Sequence, residues 1–404
     1  MWLISVYEYL ERRFDLKTRL FASGLFVTLK CFFLGLVLYG SALVVAEVSG
    51  GKLMPIIILI GVIATTYTML GGIKGVVWTD VLQMSVLFAG VFAAIYVVLT
   101  RIDSGLAAVL EIASAEGKFR FINPSMSLTD EFTLWNGLFG GAFVMLALNG
   151  VDQSETQRFL TTPSLRQSQV AISATMITSM VYGIFVFSLG VLLYVFYRQH
   201  PEKGGFGINP DRVFPKFILE ELPPGVTGLV VAAVFSAAMS SMAAVLSSQS
   251  TVALEDFYVR LTRRPVTAMH ARCGILVFGA ICTFIACFVS NLGTILVASS
   301  KLITFFGGTL VGVFLLGMLT RRANGWGAFL GALTAVIGVA LLSGLTRVAF
   351  MWYGVFSATV AFGSGWLYSL AFRGVRETRP ASRRERDEKR VEPRADPRSL
   401  SPDP

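Results

Sequence analysis

The chain has little charge: 15% of its 404 residues are Asp, Glu, Lys or Arg, against about 25% in an average soluble domain. Histidine is nearly absent, with only His200 and His270, and neither has a nucleophile or acid at a catalytic spacing. The four cysteines, Cys31, Cys273, Cys282 and Cys287, fall inside apolar runs and match neither a zinc site nor a disulfide framework. These absences argue against a metal-cluster protein, a disulfide-stapled secreted domain and a membrane-embedded enzyme. No cleavable leader is visible, because residues 1–19 carry seven charges and no apolar core.

Apolar residues, by contrast, are abundant. They make up 54% of the chain, and the mean hydropathy is +0.68. Runs of about 20 apolar residues, enough to cross a bilayer, occur near 20–46, 52–71, 77–99, 132–149, 169–197, 223–256, 268–290, 294–319, 324–345 and 349–372. The fold class expected is an all-α, multi-pass membrane protein of about ten spans, with a membrane domain over 1–372. The rest of the chain, 373–404, is rich in Arg, Glu and Pro and reads as a disordered basic tail.

The formal net charge of +9 does not point to nucleic acid, because ten of the 34 Lys and Arg residues lie in that tail. The others alternate between short Arg-rich segments and two longer loops of mixed charge, 101–131 and 198–222. By the positive-inside rule, residues 1–19, 72–76, 151–168, 257–267, 320–323 and the tail are expected on the cytoplasmic side of the cell membrane, with both termini inside.

One run carries a row of hydroxyls. Gly228 to Tyr258 is uncharged up to Glu255 and contains Ser236, Ser240, Ser241, Ser247, Ser248, Ser250 and Thr251. A helix in lipid satisfies its own backbone, so these hydroxyls either pack against other helices or bind something. Ala237, Ser240 and Ser241 share one helical face. Two hydroxyls and a carbonyl there are hard oxygen ligands, suited to a dehydrated alkali cation.

Glycine-interrupted runs add a second signal. Gly137, Gly140, Gly141 and Asn149-Gly150 lie in one, and Gly293, Gly307, Gly308 and Gly312 in another. Such helices mark substrate sites in transporters, although glycine is also common in membrane helices generally. Lys30 and Lys301 each fall roughly 12–15 Å into a span, so each is expected to face the bundle interior or to snorkel. Ser299, Ser300 and Thr304 surround Lys301, which suggests a wet cavity and a role in substrate binding or gating. Asp80 opens the third span, where a carboxylate either attracts cations or caps the helix.

Several motifs resemble those of the sodium/solute symporter family. Tyr7-Glu8-Tyr9-Leu10-Glu11-Arg12-Arg13-Phe14 is similar to its cytoplasmic (Y/P)EYLxxRF element. Gly71 to Gln83, through Trp78-Thr79-Asp80, resembles GGxxAVxWTDxxQ, and Gly150-Val151-Asp152-Gln153 with Gln157-Arg158-Phe159-Leu160 resembles G(T/V)DQxxxQRYL. The hydroxyl-bearing run and Phe314 to Asn324 are similar to two further elements.

The resemblance implies a leucine-transporter-type fold of two inverted repeats and Na⁺-coupled symport of a small organic solute by alternating access. It implies that Ala237, Ser240 and Ser241 bind Na⁺, that Asp80 lies near the ion's exit, and that Gln153 and Arg158 sit at a cytoplasmic gate. Lys301 and Asn149 are the candidate substrate or gating contacts. Three departures from the family pattern matter. Only Met1 to Val6 precede the first motif, so the leading helices of the first repeat are expected to be missing. A non-transporting remnant, sensor or accessory subunit is therefore the alternative. Leu148 and Asn149 stand where members often carry aromatics. Ala243 and Ala244 replace the hydroxyls of an additional sodium site, so at most one Na⁺ per cycle is expected.

Overall fold

The computed structural model describes residues 5–372 other than 121, 161, 206 and 290–292. The side chains of 71–82, 158 and 160 and the whole tail 373–404 also lie outside the described residues.

Among the described residues every regular element is helical. In chain order these are α1 (Glu8–Arg13), α2 (Leu16–Ser49), α3 (Leu53–Arg101), α4 (Gly105–Ala115), α5 (Gly141–Gly150), α6 (Gln153–Leu160), α7 (Leu165–Gln199) and α8 (Pro210–Glu221). There follow α9 (Pro224–Val252), α10 (Val259–Thr262), α11 (Ala268–Ala286), α12 (Ile295–Leu302), α13 (Gly308–Leu319), α14 (Gly325–Leu345) and α15 (Met351–Ala371). Among the described residues, eight stretches are long and apolar enough to cross a membrane. Two of them, Leu53–Leu70 and Gln83–Arg101, lie in α3.

Two of the ten expected spans come out differently. The run 132–149 is helical from residue 134, through a π-turn (Asn136–Gly140) into α5, and is shorter than the eight. Thr133 opens it, its hydroxyl accepting from the Asn136 N–H at 3.2 Å. The fully buried Asn136 side chain donates back to the Asp130 carbonyl at 2.5 Å. The stretch 349–372 forms the 21-residue α15, whose run of Gly, Ser and Thr leaves it less apolar than the eight.

Local chemistry fixes the ends of these helices. Asp15 opens α2 by accepting from the Thr18 N–H at 2.8 Å, and Gly50 closes it at φ +66°, a left-handed cap that glycine takes without strain. Asn324 opens α14 by accepting from Gly327 N–H at 2.8 Å. Helix α9 starts on Pro224, where a missing N–H costs nothing. It runs through a π-turn (Ala253–Tyr258) into α10, 39 residues in all, and ends at Arg263 with φ +56°.

Helix α2 is the mast of the molecule, contributing to three apolar cores in turn. Ala22, Phe26 and Leu29 pack with α5, α13, α14 and α15. Residues from Cys31 to Ala42 pack with α9, α11, α12 and the first span of α3. Val44 joins the second span of α3, α4, α7 and α8. Small residues set the close crossings. A Cβ on Gly61 would strike Thr283 and one on Gly279 would strike Thr65, a reciprocal pair between α3 and α11. Gly331 of α14 lies against Gly365 of α15 in the same way.

Candidate functional site

The face expected to bind a cation lies midway along α9. Ala237, Ser240 and Ser241 are half-buried, while Ala238, Met242 and Ala243 on the far side are buried. Met242 joins the core with α2, α3 and α11, so the hydroxyl face points away from it. No hydrogen bond from the Ser241 hydroxyl is found among the described residues, whereas Ser240 is partnered. A helical carbonyl such as that of Ala237 keeps a second lone pair after its ladder bond. The three oxygens therefore fit part of the shell of a hard monovalent cation. Among the described residues no cluster of three His, Cys, Asp or Glu could hold a different metal.

Below this face, toward the end of the molecule that holds α1, α6 and α10, lies a buried polar cluster that sequence reasoning saw only in part. Its centre is the stretch Val151–Ser154, the α5–α6 junction and the first turn of α6. The Val151 carbonyl accepts from the Tyr7 hydroxyl at 3.0 Å. Asp152 pairs with Lys30 of α2 at 2.5 Å, both nearly out of solvent, and its other oxygen accepts from Ser154 N–H at 2.8 Å. Gln153, fully buried, accepts from the Val6 N–H at 2.7 Å. Ser154 meets Ser248 of α9 at 2.8 Å. Ser248 already donates to the Val245 carbonyl, so Ser154 is the donor. Burial first, then the carboxylates of Asp152 and Asp256, push the Tyr7 hydroxyl well above its ordinary pKa, so it remains a neutral donor.

A second ion pair lies beside the first. Arg19 of α2 grips fully buried Asp256 through two nitrogens, with Nε at 3.0 Å. Asp256 also accepts from the hydroxyls of Ser5 (3.0 Å) and Ser23 (2.5 Å). Arg19 reaches Glu11 at 2.5 Å, and Glu11 meets Arg260 at 3.1 Å. Arg13 ties the same end to the α13–α14 turn by donating to the carbonyls of Gly317 (3.0 Å), Ala323 (3.2 Å) and Thr320. Four of the five motifs quoted above thus converge at one end.

The remaining expectations fare differently. Lys30 faces the interior and is paired. Lys301 is exposed, and Ser299 and Ser300 beside it are half-exposed. Asn149 turns back on its own helix, donating to the Met145 carbonyl at 3.1 Å. The side chains of Asp80 and Arg158 lie outside the described residues. Sequence reasoning missed Arg19, Asp152 and Asp256 as a set. The available signal was a carboxylate at the mouth of an apolar run, together with two cations eleven residues apart on α2. A cavity of about 450 Å³ at the opposite end, lined by Tyr194, Tyr197, Gly205, Pro210 and Phe214, is remote from both clusters.

The model of the "Sodium:solute symporter family" matches residues 3–335. The chain is 31% identical over 377 residues to the sodium/sialic acid symporter NanT of Aliivibrio fischeri, covering 92% of this chain and 74% of that protein. It is 30% identical over 352 residues to the human sodium-coupled monocarboxylate transporter 1, covering 85% and 57%. A solved structure of a Na⁺-coupled sialic acid symporter, in a substrate-bound outward-open state, superposes with a TM-score of 0.82 at 30% identity. That superposition covers 91% of this chain and 77% of that one.

Proposed function

Because the chain belongs to the sodium:solute symporter family, multi-pass membrane transporters that use Na⁺ as coupling ion, we propose that it carries Na⁺ and a small organic solute across the bilayer together. The observation that carries this reading is the half-buried oxygen face of Ala237, Ser240 and Ser241 on the apolar helix α9. Na⁺ held there binds best in the conformation that also admits solute, so each ligand raises the other's affinity. Ala243 and Ala244 one turn on lack hydroxyls, which supports one Na⁺ per cycle. Asp80, by its place at the mouth of the Gln83–Arg101 span, is assigned to the ion's exit. Gln153 and Arg158 are assigned to the gate at the end bearing α1, α6 and α10. The basic segments make that end cytoplasmic, with both termini inside.

Relatives that carry sialic acid and monocarboxylates favour a small organic acid as solute. Lys301 is our candidate cation to meet it, with Asn149 a second candidate. Uptake of labelled sialic and short-chain monocarboxylic acids into proteoliposomes tests the reading. Uptake is expected to follow an inward Na⁺ gradient and to lose that dependence in the double variant Ser240→Ala/Ser241→Ala. Lys301→Met is expected to weaken solute affinity while leaving Na⁺ dependence in place. Uptake indifferent to the gradient, or a double variant that keeps full Na⁺ dependence, overturns the assignment of α9.

A further inference from the structure

The α5–α6 junction, taken with the first turn of α6, is tied at four consecutive residues to four different places. Val151 is held by Tyr7, Asp152 by Lys30 of α2, Gln153 by the Val6 backbone and Ser154 by Ser248 of α9. All four junction residues are buried. Three of the ties are neutral hydrogen bonds, which water replaces at little cost. The Lys30–Asp152 pair is different. Beside Asp152, the described residues set the rings of Phe33 (5.2 Å) and Phe26 (6.0 Å) against the Lys30 ammonium group. Separating these charges in a dry interior is strongly unfavourable unless water reaches both. The pair therefore has two arrangements, joined and dry or parted and wet, with no stable state between them.

The candidate ion face connects directly to this junction. Ser241 and Ser248 are seven residues apart on α9, so they share a face two turns apart, about 10.5 Å along the axis. A cation that fixes the Ser241 hydroxyl acts on the same rigid helix that holds Ser154.

We propose that Lys30 and Asp152 are positioning residues for alternating access: their ion pair latches the α5–α6 junction to α2 and α9 and keeps the end bearing α1 and α6 shut until water enters. The inference rests on the symport reading for its purpose, but its geometry stands without it. Ion binding on α9 steadies Ser248, Ser248 steadies Ser154, and the latch stays dry. Loss of the ion lets α9 shift, and the pair parts as a unit with its three neutral neighbours.

The test is accessibility of a cysteine at position 155, next to the junction but outside its bonds, in a chain with its four native cysteines changed to serine. A membrane-impermeant maleimide is applied from the side bearing α1 and α6, with and without Na⁺, to purified, monodisperse protein in proteoliposomes. Asp152→Asn and Lys30→Met are each expected to speed labelling by about tenfold or more and to remove protection by Na⁺. The swap Lys30→Asp/Asp152→Lys is expected to restore slow, Na⁺-protected labelling. The neutral pair Lys30→Met/Asp152→Asn leaves no unpaired charge to unfold the protein, and is expected to label as fast as the single variants.

A folded neutral pair that labels as slowly as the parent overturns the latch, as does a swap no better than the single variants. The readout needs no solute. If labelling follows the pair but no Na⁺-driven uptake occurs, the symport reading fails alone. If uptake is Na⁺-driven but labelling ignores the pair, the latch fails alone.

Discussion

Removing either partner of the Arg19–Asp256 pair should hurt unequally. The guanidinium has two carboxylates, Asp256 and, at 2.5 Å, Glu11. Asp256 has one cation and two hydroxyls, and none of it is exposed. In Asp256→Asn, Arg19 therefore keeps a charged partner, the amide oxygen still accepts from Arg19, and the amide N–H groups can donate to the Ser5 or Ser23 hydroxyl. The loss is that of charge-assisted hydrogen bonds, about 1.5–3 kcal/mol. In Arg19→Met the Asp256 carboxylate is left buried with only two hydroxyl donors. Stranding a buried charge costs about 3–5 kcal/mol. The double variant Arg19→Met/Asp256→Asn removes both charges and should be more stable than Arg19→Met alone, so the coupling should exceed the cost of Asp256→Asn itself. Denaturant unfolding of purified protein in detergent, followed by far-ultraviolet circular dichroism, measures all four corners of the cycle. Two results refute the reasoning: Asp256→Asn costing as much as Arg19→Met, or a double variant costing the sum of the two.

Two further outcomes follow from the packing and from the outer loops. Ala at Gly331 would place its Cβ 2.5 Å from Gly365 Cα and 2.7 Å from the Ala361 carbonyl, whereas Gly344 on the same helix has open space. Gly331→Ala should therefore lower stability by about 1–3 kcal/mol and Gly344→Ala should not, as thermal unfolding of the pair will show. Asp211, at the start of α8, is pushed above its ordinary pKa by burial, opposed by the Ile295 N–H that it accepts at 3.1 Å. A raised folded pKa means that its contribution is full below the unfolded value near 4 and is lost as pH rises through the folded one. Asp211→Asn keeps an acceptor and removes the ionisation. Its melting temperature relative to the parent should thus rise from pH 4 toward pH 7, and a flat difference would count against this.

What the sequence made legible was local. Apolar run length sets a span regardless of its neighbours, and eight of the ten runs form helices of the expected length and apolarity. The spacing of Ala237, Ser240 and Ser241 needs only the helical period to place them on one face. The buried cluster was less legible. Lys30 and Asp152 are 122 positions apart and Arg19 and Asp256 are 237 apart, and no periodicity links them. Gln153 was picked out through a motif, but its partner is the backbone N–H of Val6, a group that every non-proline residue carries and that leaves no mark in sequence.

The two kinds of contact also divide the molecule by what water does to them. The crossings of α3 with α11 and of α14 with α15 depend on glycines that let backbones touch. Dispersion at such a contact needs no dry surroundings beyond the contact itself, and in lipid it is the main attraction between helices. These crossings should move as rigid pieces. The contacts of Arg19 and Lys30 are the reverse. Their strength comes from the absence of water, so a small inflow weakens them steeply. Both cations stand on α2, which like α9 reaches all three of the large apolar cores, and both carboxylates come from the ends of neighbouring elements, α9 and α5. A molecule built this way has its rigid joints in the small-residue crossings and its hydration-sensitive joints at one end. An opening of that end would therefore begin between α2 and the α5–α6 junction rather than within the glycine-packed pairs.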